Sequence, residues 1–173
     1  GKTGISYFNI NARQAVLWTG KNLTQANKDY LASLELVRQR DDFMLVHGSL
    51  DNPGEFKYIL DMYSAEPSFR LLEESEKSIL FVAHSHIPFV LTGKGRYLPS
   101  AFLKLSRGLK YIVNVGSVGQ PRDGDCRACY VIYDTEKNTI EFKRIDYDIE
   151  TAGKKIIKAG LPGILAERLM VGR

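Results

Sequence analysis

Three short apolar runs, each ending abruptly in polar, glycine-containing chain, limit most strongly what this sequence can fold into. Phe43-Met44-Leu45-Val46 gives way to His47-Gly48-Ser49. Ser78-Ile79-Leu80-Phe81-Val82-Ala83 gives way to His84-Ser85-His86, and Tyr111-Ile112-Val113-Asn114-Val115 to a Gly116-Ser117-Val118-Gly119 stretch. Runs this short and this uniformly apolar read as strands buried on both faces. In α/β sheets, ligands collect beyond the carboxyl ends of such strands.

Around them the chain alternates helix and strand signals. Residues 9–21 and the segment after Thr24, a helix N-cap residue, carry helical spacing. Leu36-Val37 and a charged turn at residues 40–42 predict a hairpin with the Phe43 run. A helix-like stretch is expected at 55–62 and another at 66–75, the latter with Pro67 in its first turn. Residues 89–92 turn at Gly93-Lys94-Gly95 and return through Tyr97. Residues 129–134 and 139–144 alternate as a second hairpin. Asp148 to Lys158 suggests a closing helix, followed by a short helical tail. No linker divides the sequence, so residues 1–173 are expected to form a single domain of mixed α/β class.

The sequence holds 3 histidines, His47, His84 and His86, and all of them follow two of the three buried runs. Imidazole is a ligand for zinc, manganese, iron and similar ions. One loop histidine alone is an ordinary hydrogen-bonding residue; three gathered at strand ends point to a shared metal site. His84 and His86 can both face one cavity if the chain is extended there. Two adjacent cations also need carboxylates to offset their repulsion. Asp51, Asp123 and Asp125 are the nearest, because Asp41 and Asp42 lie at the wrong end of their strand. On spacing alone, a mononuclear three-histidine zinc site and a two-metal site both stay open.

Composition narrows the alternatives. With 44% hydrophobic and 25% charged residues the chain is an ordinary globular one, and no stretch is apolar and long enough to span a bilayer. The net charge of +4 comes from scattered residues, with no basic stripe interleaved with aromatics, so neither nucleic acid nor membrane is expected as a partner. Cys126 and Cys129 have C-x-x-C spacing, but no second pair completes a structural zinc site, and Cys129 leads into a strand. Two reduced thiols are expected, which suits the cytoplasm.

The motifs Leu45-Val46-His47-Gly48-Ser49, Phe81-Val82-Ala83-His84-Ser85-His86-Ile87-Pro88 and Asn114-Val115-Gly116-Ser117-Val118-Gly119-Gln120-Pro121-Arg122-Asp123-Gly124 resemble the later motifs of the calcineurin-like metallophosphoesterases. More narrowly they look like the small bacterial phosphodiesterase branch. The usual G-H-x-H stands here as Ala83-His84-Ser85-His86, which keeps both imidazoles. The order and spacing match across nearly the whole chain.

This resemblance implies a four-layer α-β-β-α sandwich, incomplete at its N-terminal part. It implies two divalent ions (Mn, Fe, Zn, Ni or Co), with His47 and His84 on one and His86 on the other. It implies hydrolysis of a small phosphoester, a phosphodiester first, by metal-activated hydroxide. Residues 114–122 are expected to flank the site, with Ser117 or Arg122 touching substrate phosphate; Arg122 is equally open as a surface residue. The family's D-x-H, G-D-x-x-D and G-N-H-D/E motifs are not in this sequence. The resemblance places them, and the catalytic histidine, ahead of Gly1. The 173 residues alone are therefore expected to be poorly active or inactive, and prone to aggregate or dimerise. A non-catalytic interaction scaffold of the same fold and a mononuclear zinc hydrolase are the alternatives, and a homo-oligomer stays open.

Overall fold

The computed structural model describes residues 4–97 and 102–173. In chain order its regular elements are α1 (Ile10–Asn22), α2 (Gln25–Ser33), β1 (Val37–Gln39), β2 (Phe43–Val46), α3 (Met62–Glu74), β3 (Ile79–Val82), β4 (Phe89–Thr92) and β5 (Gly95–Tyr97). They continue with β6 (Phe102–Lys104), β7 (Tyr111–Asn114), β8 (Ala128–Asp134), β9 (Thr139–Ile145), α4 (Ile149–Lys158) and α5 (Ile164–Val171). The chain gathers into two compact units. One joins the residues up to Leu34 to Asp148–Val171, and the other comprises Glu35–Tyr147 with Gly172–Arg173.

In the first unit three helix starts, those of α1, α2 and α4, have a sequence cause. The Asn9 Oδ1 accepts from the Ala12 N–H at 3.0 Å, and the Thr24 Oγ1 from the Asn27 N–H at 3.2 Å. The Asp148 Oδ1 accepts from the Thr151 N–H at 2.9 Å. Each satisfies a donor that the first helical turn leaves free. α4 and α5 pack together where Gly153 faces Ala166.

The second unit is built on a six-stranded sheet in the order β1-β2-β3-β7-β4-β5. β2, β3 and β7 are mutually parallel, whereas β1, β4 and β5 run antiparallel to their neighbours. Its two faces follow the two-residue period of a strand. Leu80, Val82, Phe89, Leu91 and Ile112 turn to one side and meet Ala65, Phe69 and Leu72 of α3. Ile79, Phe81, Val90, Tyr111 and Val113 turn to the other and meet Cys129, Ile140 and Phe142 of the three-stranded sheet β6-β9-β8. A helix, a mixed sheet and an antiparallel sheet are thus stacked as layers of a mixed α/β arrangement.

Three details depart from the sequence reading. β3 and β7 are buried on both faces, but β2 alternates: Met44 and Val46 are buried and Leu45 is 39% exposed. Leu45 pairs in register with Phe81, and so faces the side of the antiparallel sheet, which has only three strands against six. Residues 57–61 are not helical. The helix starts at Met62, where Asp61 and Ser64 cap one another reciprocally. Pro67 therefore lies inside α3 rather than at its start. The carbonyl that its missing N–H would have bonded belongs to Tyr63, a residue that is 90% exposed.

Because β2, β3 and β7 are parallel neighbours, their carboxyl ends share one edge of the sheet. The loops that begin at His47, at His84 and at Val115 all leave from that edge.

Candidate metal centre

His47, His84 and His86 line one cavity of about 360 Å³, with Ala83, Val115, Gly116, Ser117 and Cys129 among its other walls. The His47 Nε2 and the His84 Nδ1 face each other at 3.0 Å. Either one ring donates to the other, or, once that proton is displaced, both lone pairs address a single point. Two metal–nitrogen bonds of about 2.0–2.1 Å set at about a right angle span that distance. The third imidazole is prepared differently. The His86 Nδ1 lies 2.6 Å from the Gln120 carbonyl, which only accepts, so Nδ1 carries the proton and Nε2 keeps its lone pair. Metal-binding histidines commonly have one ring nitrogen fixed in this way. The donor set therefore fits divalent metal ions.

The electrostatics agree. Burial holds all three imidazoles below their ordinary pKa. His84 is lowered to about 4 by burial first, then by the neighbouring positive charges of His47, His86 and Arg122. At neutral pH the rings are uncharged and their lone pairs free.

The backbone that sets the rings is not extended, contrary to the expectation for a His-x-His pair. His84 and His86 both have φ in the left-handed region, at 53° and 62°. Between them the Ser85 N–H donates to the Ala83 carbonyl at 2.5 Å and the Ser85 side chain is buried. Such backbone is held only where its surroundings enforce it. Here Asn114 does so: its Nδ2 donates to the Ala83 carbonyl at 2.6 Å and to the Ser85 Oγ at 2.9 Å. Its Oδ1 accepts from the Gly116 N–H at 3.0 Å. One fully buried amide thus ties the His84 turn to the third loop. Gly116 has φ 76°, and a Cβ there would lie 2.8 Å from the Cβ and Sγ of Cys129, so both backbone and space require glycine. Gly48, next to His47, is fixed by space alone: a Cβ would come within 2.8 Å of the Lys57 carbonyl.

Ser117 lines the cavity, and its Oγ accepts from the Gln120 N–H at 2.9 Å. Arg122 stands one step back. Its Nε and terminal nitrogen donate to the Gln120 Oε1 at 3.2 and 3.0 Å, and its backbone N–H donates to the His86 carbonyl at 3.2 Å. The three aspartates named from sequence are all engaged elsewhere. Asp51 binds Ser49 and Lys57, Asp123 pairs with Arg144, and Asp125 pairs with Arg127. Among the described residues no three His, Cys, Asp or Glu side chains converge as one metal-binding group. Both cysteines are free thiols, and burial raises the pKa of Cys129.

Two contributors escaped the sequence reading. Tyr58 stacks on His84, with ring centroids 4.0 Å apart and planes inclined by 20°. Phe56 meets both His47 and His84 at about 6 Å. The signal for them was an aromatic pair in the Pro-Gly loop that follows His47; the signal for Asn114 was an amide inside an otherwise apolar strand.

A metallophosphoesterase from Sphaerobacter thermophilus superposes on this chain with a TM-score of 0.86 and 33% sequence identity, over 100% of this chain and 72% of that one. The chain belongs to the calcineurin-like metallophosphoesterase superfamily. A second match is by fold alone. The hypothetical protein PH1004 from Pyrococcus horikoshii superposes with a TM-score of 0.74 at 22% identity, over 96% of this chain and 62% of that one. In sequence, the uncharacterized protein MJ0912 of Methanocaldococcus jannaschii is 37% identical to this metallophosphoesterase over 178 residues, spanning 100% of this chain and 71% of that protein. No family model matches the sequence. No helix among the described residues is long and apolar enough to cross a membrane.

Proposed function

We propose that this metallophosphoesterase, by family a metal-dependent phosphoester hydrolase, acts on phosphodiesters with two divalent ions. His47 and His84 would hold one ion and His86 the other. The observation that carries the reading is the geometry of the three imidazoles. Two face each other at 3.0 Å and the third has its Nδ1 tied to a carbonyl, around one cavity. Divalent ions supply Lewis acidity there and offset the charge of the phosphate.

The chain's own residues hold and orient. Asn114 fixes the turn that presents His84 and His86. Tyr58 covers one face of His84. The Ser117 hydroxyl accepts from a backbone N–H and so keeps its own proton to donate to a phosphate oxygen. Arg122, already felt at His84 and His86, adds positive charge beside the anion. Two ions need carboxylate ligands that the described residues do not bring to the cavity. We place those ligands, and the group that protonates the leaving oxygen, outside these 173 residues. The 173-residue chain then binds metal weakly and hydrolyses slowly.

The test is hydrolysis of bis-p-nitrophenyl phosphate with manganese, by a chain carrying these residues together with the D-x-H and G-D-x-x-D carboxylates. The reading expects activity that EDTA removes and that H84A or H86A abolishes. Activity indifferent to both substitutions refutes it, and metal binding without hydrolysis of any phosphoester favours the scaffold.

A further inference from the structure

Behind Tyr58 lies a second cavity of about 390 Å³, lined by Asp51, Lys57, Tyr58, Tyr63, Ser64 and Glu66 together with Pro67. Tyr58 is shared: one part of the ring stacks on His84, and the side chain also walls this second cavity. A ligand group here therefore meets the same side chain that stacks on an imidazole of the metal centre. The volume is within the range of small-molecule sites.

The lining says what that group is. Two tyrosines contribute, and Tyr63 is 90% exposed, so the protein itself leaves most of its ring uncovered; Tyr58 is 46% exposed. Aromatic rings left uncovered around a hollow present stacking surfaces for another planar ring. The charges disfavour a second phosphate. Asp51 and Glu66 are carboxylates paired with Lys57 at 2.9 Å and Arg70 at 2.5 Å, and Lys57, the one lining cation among the described residues, is also held by Glu55 at 3.2 Å, so no cation is left over for a phosphate. An ion-paired carboxylate still has acceptor lone pairs to spare, so the two suit a ring that carries exocyclic amino donors.

We infer that this cavity is the leaving-group subsite and takes an amino-bearing nucleobase, so that the substrate class is a nucleotide phosphoester with its phosphate at the histidines. This rests on the hydrolytic reading of His47, His84 and His86. The base stacks against Tyr63 and Tyr58, and the ribose spans the edge of Tyr58 toward the metal centre. Sugar phosphates and polyphosphates without a base lack this contact.

The base subsite needs no metal, so it is tested separately from the metal centre. Dissociation constants for adenosine and for ribose would be measured by ligand-observed NMR on the 173-residue chain and on Y63A and Y63F. Tyr63 is too exposed for its loss to unfold the protein. Adenosine should bind where ribose does not, Y63A should weaken it about fivefold or more, and Y63F should keep it. Adenosine binding no tighter than ribose, or unchanged in Y63A, overturns the inference. The same titration with adenosine 5′-monophosphate and zinc, on the chain that also carries the D-x-H and G-D-x-x-D carboxylates, tests the other half. A phosphate that adds no affinity in the presence of zinc contradicts the hydrolytic reading of the histidines, even where the base still binds.

Discussion

Replacing Asn114 by alanine removes the one side chain that joins the His84 turn to the third loop. The substitution leaves the Gly116 N–H without its partner and takes one bond each from the Ala83 carbonyl, which keeps the Ser85 N–H, and the Ser85 hydroxyl, which keeps the Ile87 N–H. Asn114 and Ser85 are buried, with relative exposures of 0% and 4%, so water does not simply replace the amide. An orphaned buried polar group costs about 1–3 kcal/mol, so the Gly116 N–H sets the loss at about 2 kcal/mol. That is a large share of a typical stability of about 5–15 kcal/mol. For a chain of this length it lowers Tm by about 4–8 °C. Urea unfolding followed by circular dichroism measures it, with the slope against urea expected to stay constant. N114D should be worse than N114A's packing loss alone suggests, because a carboxylate keeps the acceptor for Gly116 but turns the donation to the Ala83 carbonyl into an oxygen–oxygen contact and is itself buried. A loss below about 1 kcal/mol for N114A would mean that the left-handed backbone at His84 and His86 holds itself, and the argument from Asn114 would fail.

Gly116→Ala combines a φ of 76° with a Cβ 2.8 Å from Cys129, and should destabilise by about 2 kcal/mol or more, whereas Gly119→Ala, with nothing within 4 Å, should stay within about 0.5 kcal/mol in the same urea assay. Leu72→Ala, in the core between α3 and the large sheet, should cost about 2–5 kcal/mol by thermal unfolding. The metal-free protein should lose stability as pH falls. The three imidazoles have lowered pKa in the folded state, so the unfolded chain takes up protons first. Stability is full above the unfolded value of 6.5 and declines as pH approaches the folded value of about 4 at His84. Urea midpoints that stay flat between pH 7 and pH 4.5, or that rise, would contradict those burials.

The sequence carried the strands at Phe43, Ile79 and Tyr111 and the histidines after them, because a short apolar run cut off by a polar loop leaves little choice of element or of end. It also carried the hairpin of β8 and β9, where Ile140 and Phe142 alternate with Glu141 and Lys143. What it did not carry depends on partners distant in the chain. Leu45 is apolar like its neighbours, and its exposure is decided by how few strands face it. The start of α3 was misplaced because the Asp61–Ser64 capping box outweighs the proline signal at Pro67. Asp51, Asp123 and Asp125 looked available from spacing, but Lys57, Arg144 and Arg127 occupy them. The left-handed turns at His84 and His86 follow from a hydrogen bond to Asn114 that no local pattern announces.

The central claim is that His47 and His84 address one metal ion. Zinc as the probe ion, titrated into the 173-residue chain while the imidazole nitrogens are followed by proton–nitrogen NMR, tests it directly. The account predicts saturable binding that shifts the His47 Nε2 and His84 Nδ1 resonances together and is lost in H84A. Zinc that leaves both resonances unmoved, or that binds H84A as well as the parent chain, would contradict it.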